Sequence, residues 1–216
     1  MRQVMGKIFT QWSVPRQIRA DNGRPFGDPQ LEGLPPLALW LIGLGIDVIW
    51  NRPRTPQQNA KVERGQRTLS NWIEFSKITT TDQLQKEVYD KAKFYFEQFR
   101  DRRQANTTYL ERHPGLKHSG RAFDLVTFDE QRVADFVARG KWIRVVSKNG
   151  QVTIAGNRFN AGMKRSGQKV WLAFCAKEKV WIITTSSGEE IKRSSDQLWR
   201  DWIANIRGGT LDHAKG

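Results

Sequence analysis

Two carboxylates, Asp21 and Glu63, have the sequence surroundings best suited to chemistry on a phosphate group. Asp21 follows residues 17–20, which predict a short strand, and Glu63 lies in a stretch that predicts a helix. Carboxylates fixed on two different rigid elements can converge on hard divalent cations, which prefer oxygen ligands. Such cations activate an attacking hydroxyl and stabilise the leaving oxygen in phosphoryl transfer. One interpretation of the pair is therefore a metal-dependent phosphoryl-transfer site.

Both residues also have an ordinary structural interpretation. The sequence Asp21-Asn22-Gly23 is a common turn after a strand. Glu63 could be a solvated helix residue that forms an ion pair with Arg67, four positions later. The spacing of the residues by itself leaves these alternatives open.

The elements that must position the two carboxylates follow from the hydrophobic pattern. Apolar residues at helical spacing and runs of β-branched residues alternate along the first hundred residues, which is typical of an α/β fold. Helices are predicted over residues 4–12 and 34–44, from about 57, and after a cap at Thr81 or Asp82, and strands over 17–20 and 46–50.

From Trp142 onward the hydrophobic pattern changes from the period of helices to that of strands. Gly-Asn and Asn-Gly turns separate the runs, as in a small all-β barrel. Strands are predicted over residues 142–146, 151–154, 169–174 and 180–184. The expected order is therefore an α/β part, a linker within 104–138, and a β-barrel.

Three motifs, in order, resemble the retroviral-integrase-type catalytic core of bacterial insertion-sequence transposases. They are residues 19–26, residues 44–46 and residues 52–64, and the resemblance covers about residues 1–75. It implies a ribonuclease H-like fold with an Asp-Asp-Glu site, in which Asp21 is the second metal-binding acid and Glu63 the third. The implied cofactor is Mg²⁺ or Mn²⁺. The residues placed on the helix that this family presents to DNA are Asn59, Lys61, Arg64 and Arg67.

The late β region resembles the small barrel that often follows this core in such transposases. The similarity lies in residues 144–150, 156–159 and 167–171. Three tryptophans alternate with basic residues there, which favours the barrel core for the aromatic rings, although one ring could assist DNA binding. The tryptophans are Trp142, Trp171 and Trp181, and the residues expected to contact DNA phosphates are Lys141, Arg144, Lys148, Arg158, Lys164 and Arg165.

The sequence departs from the family pattern before Asp21. The family's first catalytic aspartate lies well upstream of the second, but residues 1–20 contain neither Asp nor Glu. Asp28 and Asp47 do not match the position of the missing acid. We therefore expect the C-terminal part of a transposase with a truncated, incomplete ribonuclease H-like core, inactive by itself in DNA strand transfer.

Charge and composition agree with a DNA partner. The 216 residues include 36 Lys and Arg against 22 Asp and Glu, for a formal charge of +14, and residues 139–193 hold 12 basic and 3 acidic residues. Basic side chains at this density favour nucleic acid because they release condensed counterions on meeting phosphates. The alternative is general surface basicity without a specific partner.

Composition also excludes several classes of protein. A single cysteine, Cys175, excludes an internal disulfide framework and a multi-cysteine zinc site. No stretch approaches the roughly 18 to 20 apolar residues of a membrane span, so no membrane partner is expected. We expect a cytoplasmic, bacterial-type protein that associates with the nucleoid.

The expected domains are a partial integrase core, a helical extension with the linker, a DNA-binding barrel and a tail. They cover residues 1–75, 76–138, 139–195 and 196–216. The expected function is DNA transposition at element ends and target DNA, by a homo-multimer or together with an N-terminal transposase fragment. The alternative, from another functional class, is a non-catalytic DNA-binding protein derived from a transposase.

Overall fold

The computed structural model describes residues 1–27, 34–52, 54–55, 57, 59–114 and 119–208, and for Lys61 it describes the backbone alone. The helices are α1 (Arg2–Trp12), α2 (Pro36–Gly43), α3 (Ala60–Trp72), α4 (Thr81–Glu97), α5 (Tyr109–Arg112), α6 (Glu130–Ala138) and α7 (Asp196–Gly208). The strands are β1 (Gln17–Ala20), β2 (Asp47–Trp50), β3 (Lys141–Val145), β4 (Gln151–Ile154), β5 (Asn157–Asn160), β6 (Lys169–Cys175), β7 (Val180–Thr184) and β8 (Glu190–Arg193).

The chain is a mixed α/β protein that divides into two compact units. The first unit is Met1–Asn51 with Ser119–Gly216, and the second is Arg52–His118. The boundaries of these two units differ from the domain boundaries expected from the sequence. The expected domains stay a prediction.

In the first unit, β1 and β2 form a parallel pair, with Gln17 opposite Asp47 and Ala20 opposite Trp50. Parallel neighbours need a crossover connection, and α2 lies in that connection. Every residue from Leu37 to Gly43 is buried, so α2 is apolar on all sides and forms the centre of this unit. The helices and strands predicted before residue 51 are confirmed to within two residues at each end.

The C-terminal end of α2 is fixed by residues that follow the second unit in sequence. The Arg121 guanidinium donates hydrogen bonds to the carbonyl oxygens of Leu44 (2.8 Å), Gly45 (3.2 Å) and Pro15 (3.1 Å). Carbonyl groups at a helix C-terminus lack intrahelical partners, and a cation there complements the helix dipole. Arg121 therefore holds the end of α2 against the segment that leads into β1.

The strands after residue 140 form an antiparallel sheet in the order β3-β6-β7-β8 and a separate β4–β5 hairpin. The predicted strands are confirmed, but the predicted barrel is wrong, because no sheet among the described residues closes on itself. Helices α6 and α7 pack on one face of the four-stranded sheet instead. The ring of Trp199 in α7 lies 4.7 Å from that of Phe174 in β6. The helices thus provide the apolar cover that closure of a barrel would have provided.

In the second unit, α3 and α4 pack through aromatic side chains. The Trp72 ring lies 5.6 Å from that of Phe94 and 5.1 Å from that of Phe99. The cap of α4 is Thr80, one residue before the predicted position, because Gln83 completes a capping box with it. Val62 on α3 is 61% exposed.

Candidate functional site

Asp21 lies immediately after β1, at the carboxyl end of the parallel strand pair, and its side chain is exposed. Its Oδ1 atom accepts a hydrogen bond from the backbone N–H of Gly23 at 3.0 Å, which is the geometry of the predicted turn. The side-chain amide of Asn22 donates to the carbonyl oxygen of Asn51 (2.9 Å), and the Asn51 N–H donates to that of Ala20 (2.9 Å). The backbone that carries Asp21 is therefore held to the end of β2.

The loop after Asp21 folds back on itself and on β2. The N–H of Gly27 donates to the carbonyl oxygen of Gly23 (2.8 Å), and the Trp50 indole N–H donates to that of Phe26 (3.0 Å). A Cβ atom at position 27 would lie 2.5 Å from the carbonyl oxygen of Asn22, so only glycine allows this close approach. These hydrogen bonds fix the backbone position of Asp21, and its side chain faces solvent.

Glu63 lies in the first turn of α3, where a carboxylate interacts favourably with the helix dipole, and its side chain is exposed. The i,i+4 ion pairs among the described side chains join Lys91 to Glu87 and Arg200 to Asp196, so the pairing of Glu63 with Arg67 considered from the sequence is not observed. Asn59 is the N-cap residue of the helix, and Arg64 and Arg67 are exposed. Lys61 belongs to the same first turn.

Asp21 belongs to the first unit and Glu63 to the second. Within the part of the chain that the structure describes, no three His, Cys, Asp or Glu side chains come together as a metal site. Asp47, at the start of β2, forms an ion pair with Arg132 of α6, and Asp28 lies outside the described residues. The roles of Asp21 and Glu63 as metal ligands and the need for Mg²⁺ or Mn²⁺ stay predictions.

The basic residues predicted to contact phosphates separate into two groups. Arg144 and Arg165 bond to backbone oxygens: Arg144 Nε donates to the carbonyl oxygen of Thr153 (3.3 Å), and an Arg165 amino group donates to that of Ala161 (3.3 Å). These two guanidiniums help to join neighbouring strands and turns. The other four are exposed, and they are Lys141 on β3, Lys148 in the β3–β4 turn, Arg158 on β5 and Lys164 in the turn Met163–Arg165.

The three tryptophans of the sheet do not share one environment. Trp181 is 1% exposed, and Trp142 packs against it with ring centroids 5.4 Å apart. Trp171 pairs with Ile143 across the strands, so it lies on the sheet face opposite to Trp142. The expectation of a shared core is wrong for Trp171. Lys169 and Trp171 alternate with the buried Val170 along the strand. This alternation was the signal that Trp171 lies on the face opposite to the core.

One polar cluster had no counterpart in the sequence analysis. Glu130 Oε1 accepts hydrogen bonds from Lys179 Nζ (2.8 Å) and from the Trp199 indole nitrogen (2.6 Å). Burial tends to raise the pKa of the Glu130 carboxyl, but the hydrogen bonds from Lys179 and Trp199 outweigh it, and the pKa lies below its ordinary value. The cluster joins α6, the end of the β6–β7 turn and α7, so its role is to hold the sheet and its helices together.

None of the described helices is both long enough and apolar enough to cross a membrane. A scan against known protein families finds no family that matches this chain.

Proposed function

We propose that this chain acts on DNA as part of an Asp-Asp-Glu transposase, through an incomplete ribonuclease H-like core and a basic β region. One observation carries the proposal. Asp21, the second acid in the order of the motifs, lies exposed at the carboxyl end of a strand in a parallel pair. Ligands of open α/β sheets bind outside the carboxyl ends of the strands. The motifs around Asp21 and Glu63 support the same assignment through their resemblance to insertion-sequence transposases.

The two carboxylates suit a hard divalent cation by their donor chemistry, because both are exposed and Mg²⁺ and Mn²⁺ prefer oxygen ligands. The hydrogen bond from Gly23 involves only Oδ1 of Asp21, which leaves Oδ2 to face a cation. A bound cation would supply activation of the attacking hydroxyl and stabilisation of the leaving oxygen. Asp21 and Glu63 hold the metal in this proposal, and Arg64 and Arg67 contact the DNA backbone.

Two carboxylates do not complete an Asp-Asp-Glu set. A two-metal site needs a bridging acid, and Asp47 is already paired with Arg132. We therefore expect this chain by itself to bind DNA without joining strands. The further acid would come from an N-terminal transposase fragment.

The exposed basic residues of the β region position the DNA. Contacts from Lys and Arg to phosphate oxygens fix the register of a protein on DNA without reading its sequence. Four such side chains, on two strands and two turns of one unit, are available to element ends and target DNA alike, and they are Lys141, Lys148, Arg158 and Lys164.

A second candidate function is non-catalytic DNA binding. Residues 139–177 contain nine basic residues and no acidic residue, and binding through this segment needs no metal. The two functions share the DNA partner and differ in whether Asp21 and Glu63 hold a cation.

Binding of Mn²⁺ and of DNA by the full chain tests both functions. Electron paramagnetic resonance of Mn²⁺ should report bound metal in the wild type and less of it after Asp21→Asn or Glu63→Gln. Glu97→Gln, at an exposed carboxylate at the end of α4, is the matched control and should bind as the wild type does. In a plasmid nicking and joining assay with Mg²⁺ or Mn²⁺, the wild type alone should give no product.

Each outcome separates the candidates. Metal binding that survives both substitutions contradicts the metal site, and DNA binding without metal binding favours the non-catalytic protein. Absence of salt-dependent DNA binding contradicts both functions. Strand-transfer product that disappears in Glu63→Gln would show that the chain is a complete enzyme.

A further inference from the structure

We propose that the outer face of the four-stranded sheet binds single-stranded DNA, with Trp171 as a stacking platform for an unpaired base. The outer face is the side opposite α6 and α7, and it includes Lys141, Ile143, Val145, Lys169 and Trp171. The inference rests on the proposed DNA partner. It adds that the DNA is single-stranded and that it binds to this face of the sheet.

The strand register places Trp171 near the middle of this face. Trp171 pairs with Ile143 on β3 and with Thr184 on β7, so it has a neighbour on each side across the sheet. Lys169 lies two residues along the same strand, at a separation of roughly 6 to 7 Å from the rise of a strand. Lys141 is opposite Ala173, two residues further along in the other direction. Two cations therefore lie on either side of one aromatic ring.

The side chains of this face are apolar yet accessible. Ile143 is 51% exposed and Val145 is 58% exposed. Trp171 is partly exposed, and among the described residues it belongs neither to the hydrophobic cluster of its unit nor to the hydrophobic residues packed against that cluster. The opposite face is filled, because Leu172 and Phe174 of the same strand are buried under the helices. An apolar patch that the fold leaves open marks a binding surface.

The charge around this face fits a polyanion. Both β3 and β6 lie within residues 139–177, which contain nine basic residues and no carboxylate. The nearest acidic residue on the paired strands, Glu190 opposite Thr184, forms an ion pair with Arg193 at 2.9 Å. Nothing acidic on β3 or β6 therefore competes with phosphates for Lys141 and Lys169. A nucleic acid strand suits this surface better than an apolar protein segment does.

The partly exposed ring of Trp171 is the reason for proposing single-stranded DNA and not a duplex. In a duplex the faces of the bases are stacked on one another, and a protein meets phosphates and base edges. An unpaired base offers its face to an aromatic side chain, and flanking cations follow the backbone. A partly exposed tryptophan between two lysines on an open sheet provides both contacts.

Fluorescence anisotropy with the full chain and labelled oligonucleotides tests the inference. The probes are a 20-nucleotide oligothymidine and an abasic strand of the same length, which has the same phosphates but no base to stack. The wild type should bind oligothymidine more tightly than the abasic strand. Trp171→Ala should weaken oligothymidine binding about 10-fold and remove the difference between the two probes. Trp171→Phe should retain most of the affinity, because a phenyl ring still stacks.

Trp12→Ala is the matched control, since Trp12 is 52% exposed at the end of α1, which is not part of the sheet, and its loss should not change the preference. Lys141→Gln and Lys169→Gln should each lower the slope of log affinity against log salt by about 0.7. Circular dichroism melts establish that the variants fold. If Trp171→Ala does not fold, equal binding of both probes by the wild type overturns the inference.

Failure of this inference is distinguishable from failure of the proposed function. A wild type that binds neither probe nor duplex at low salt contradicts the DNA partner itself. A wild type that binds DNA, with a folded Trp171→Ala variant of equal affinity, overturns the stacking site alone. A wild-type dimer that Trp171→Ala converts to a monomer in sedimentation, with unchanged DNA binding, assigns the face to a second copy and also overturns it.

Discussion

The carboxylate of Glu130 accepts a hydrogen bond from the indole N–H of Trp199 at 2.6 Å, and the same oxygen accepts one from Lys179 at 2.8 Å. Glu130 begins α6, and Trp199 is a fully buried residue of α7. The contact joins the two helices that cover the inner face of the four-stranded sheet. The contact therefore lies on the side of the sheet opposite the basic outer face.

Removal of this acceptor should destabilise the first unit. Glu130→Ala leaves the Trp199 N–H and the Lys179 ammonium without their acceptor, which costs about 1–2 kcal/mol after allowance for the partial exposure of the ion pair. Glu130→Gln keeps an acceptor oxygen and should cost less. Urea denaturation of both variants measures the free energies of unfolding, and equal stability of Glu130→Ala and the wild type would contradict the role.

The same cluster predicts a pH dependence. Because the folded-state pKa of Glu130 lies below its ordinary value, its contribution to stability is present at neutral pH and is lost as the pH falls through the folded pKa. The stability gap between the wild type and Glu130→Gln should be constant from pH 7 to about pH 5 and should shrink below about pH 4.5. Thermal melts at a series of pH values measure this gap, and a gap that widens in acid would contradict the sign.

Most helices and strands that position Asp21 could be predicted from the sequence, because each has a clear period or a breaker at its end. The strand before Asp21 lies where the pattern placed it, and the helix of Glu63 begins at Ala60, later than the predicted start near residue 57. The openness of the sheet could not be predicted. It depends on α6 and α7, which lie in segments that the sequence analysis assigned to a linker and a tail. The buried Trp199, Ile203 and Ile206 have helical spacing, which was the available signal for α7.

For the candidate site, the local setting of single residues could be predicted, but the partners of their side chains could not. Local sequence around Asp21 specifies a turn after a strand, and the structure has that turn. Whether a cation such as Arg144 faces solvent or a carbonyl oxygen depends on partners on other strands, here Thr153 on β4. The side of the sheet on which Trp171 lies required the register with Ile143. The partner of Arg144 and the face on which Trp171 lies both depend on how the strands pair, which the sequence alone does not show.

The two groups of basic residues should respond differently to substitution. Replacing Lys148, Arg158 and Lys164 together by Gln removes three exposed cations, so the salt dependence of duplex binding should fall by roughly 0.9 per cation in slope. The melting temperature should hardly change. Arg144→Gln should instead lower stability, since it loses hydrogen bonds to the carbonyl oxygens of Thr153 and Ile143. A triple variant with the wild-type slope would contradict the phosphate-contact role.

Arg121 should be essential to the position of α2. Arg121→Ala removes three hydrogen bonds to the carbonyl oxygens of Leu44, Gly45 and Pro15, and should cost about 1–3 kcal/mol. Arg121→Lys retains the charge near the helix end but not the planar fork, so an intermediate loss is expected. Arg19→Ala, at an exposed arginine of β1, is the control and should be near neutral. Urea denaturation gives all three values, and a neutral Arg121→Ala would show that the carbonyl groups find other partners.

Substitution by alanine at two helical glycines, Gly43 and Gly65, should change stability in opposite directions. At Gly43, a Cβ atom would lie 2.2 Å from a ring carbon of Phe128, so Gly43→Ala overpacks the core of the first unit and should destabilise it by about 1–3 kcal/mol. At Gly65 on α3 no atom lies within 4 Å of an added Cβ, and alanine should stabilise the helix by up to about 1 kcal/mol. Phe128→Leu combined with Gly43→Ala should recover part of the loss, because the smaller side chain vacates the space. Thermal melts of the three variants measure the effects, and a neutral Gly43→Ala would show that the Phe128 ring can move away from α2 at little cost.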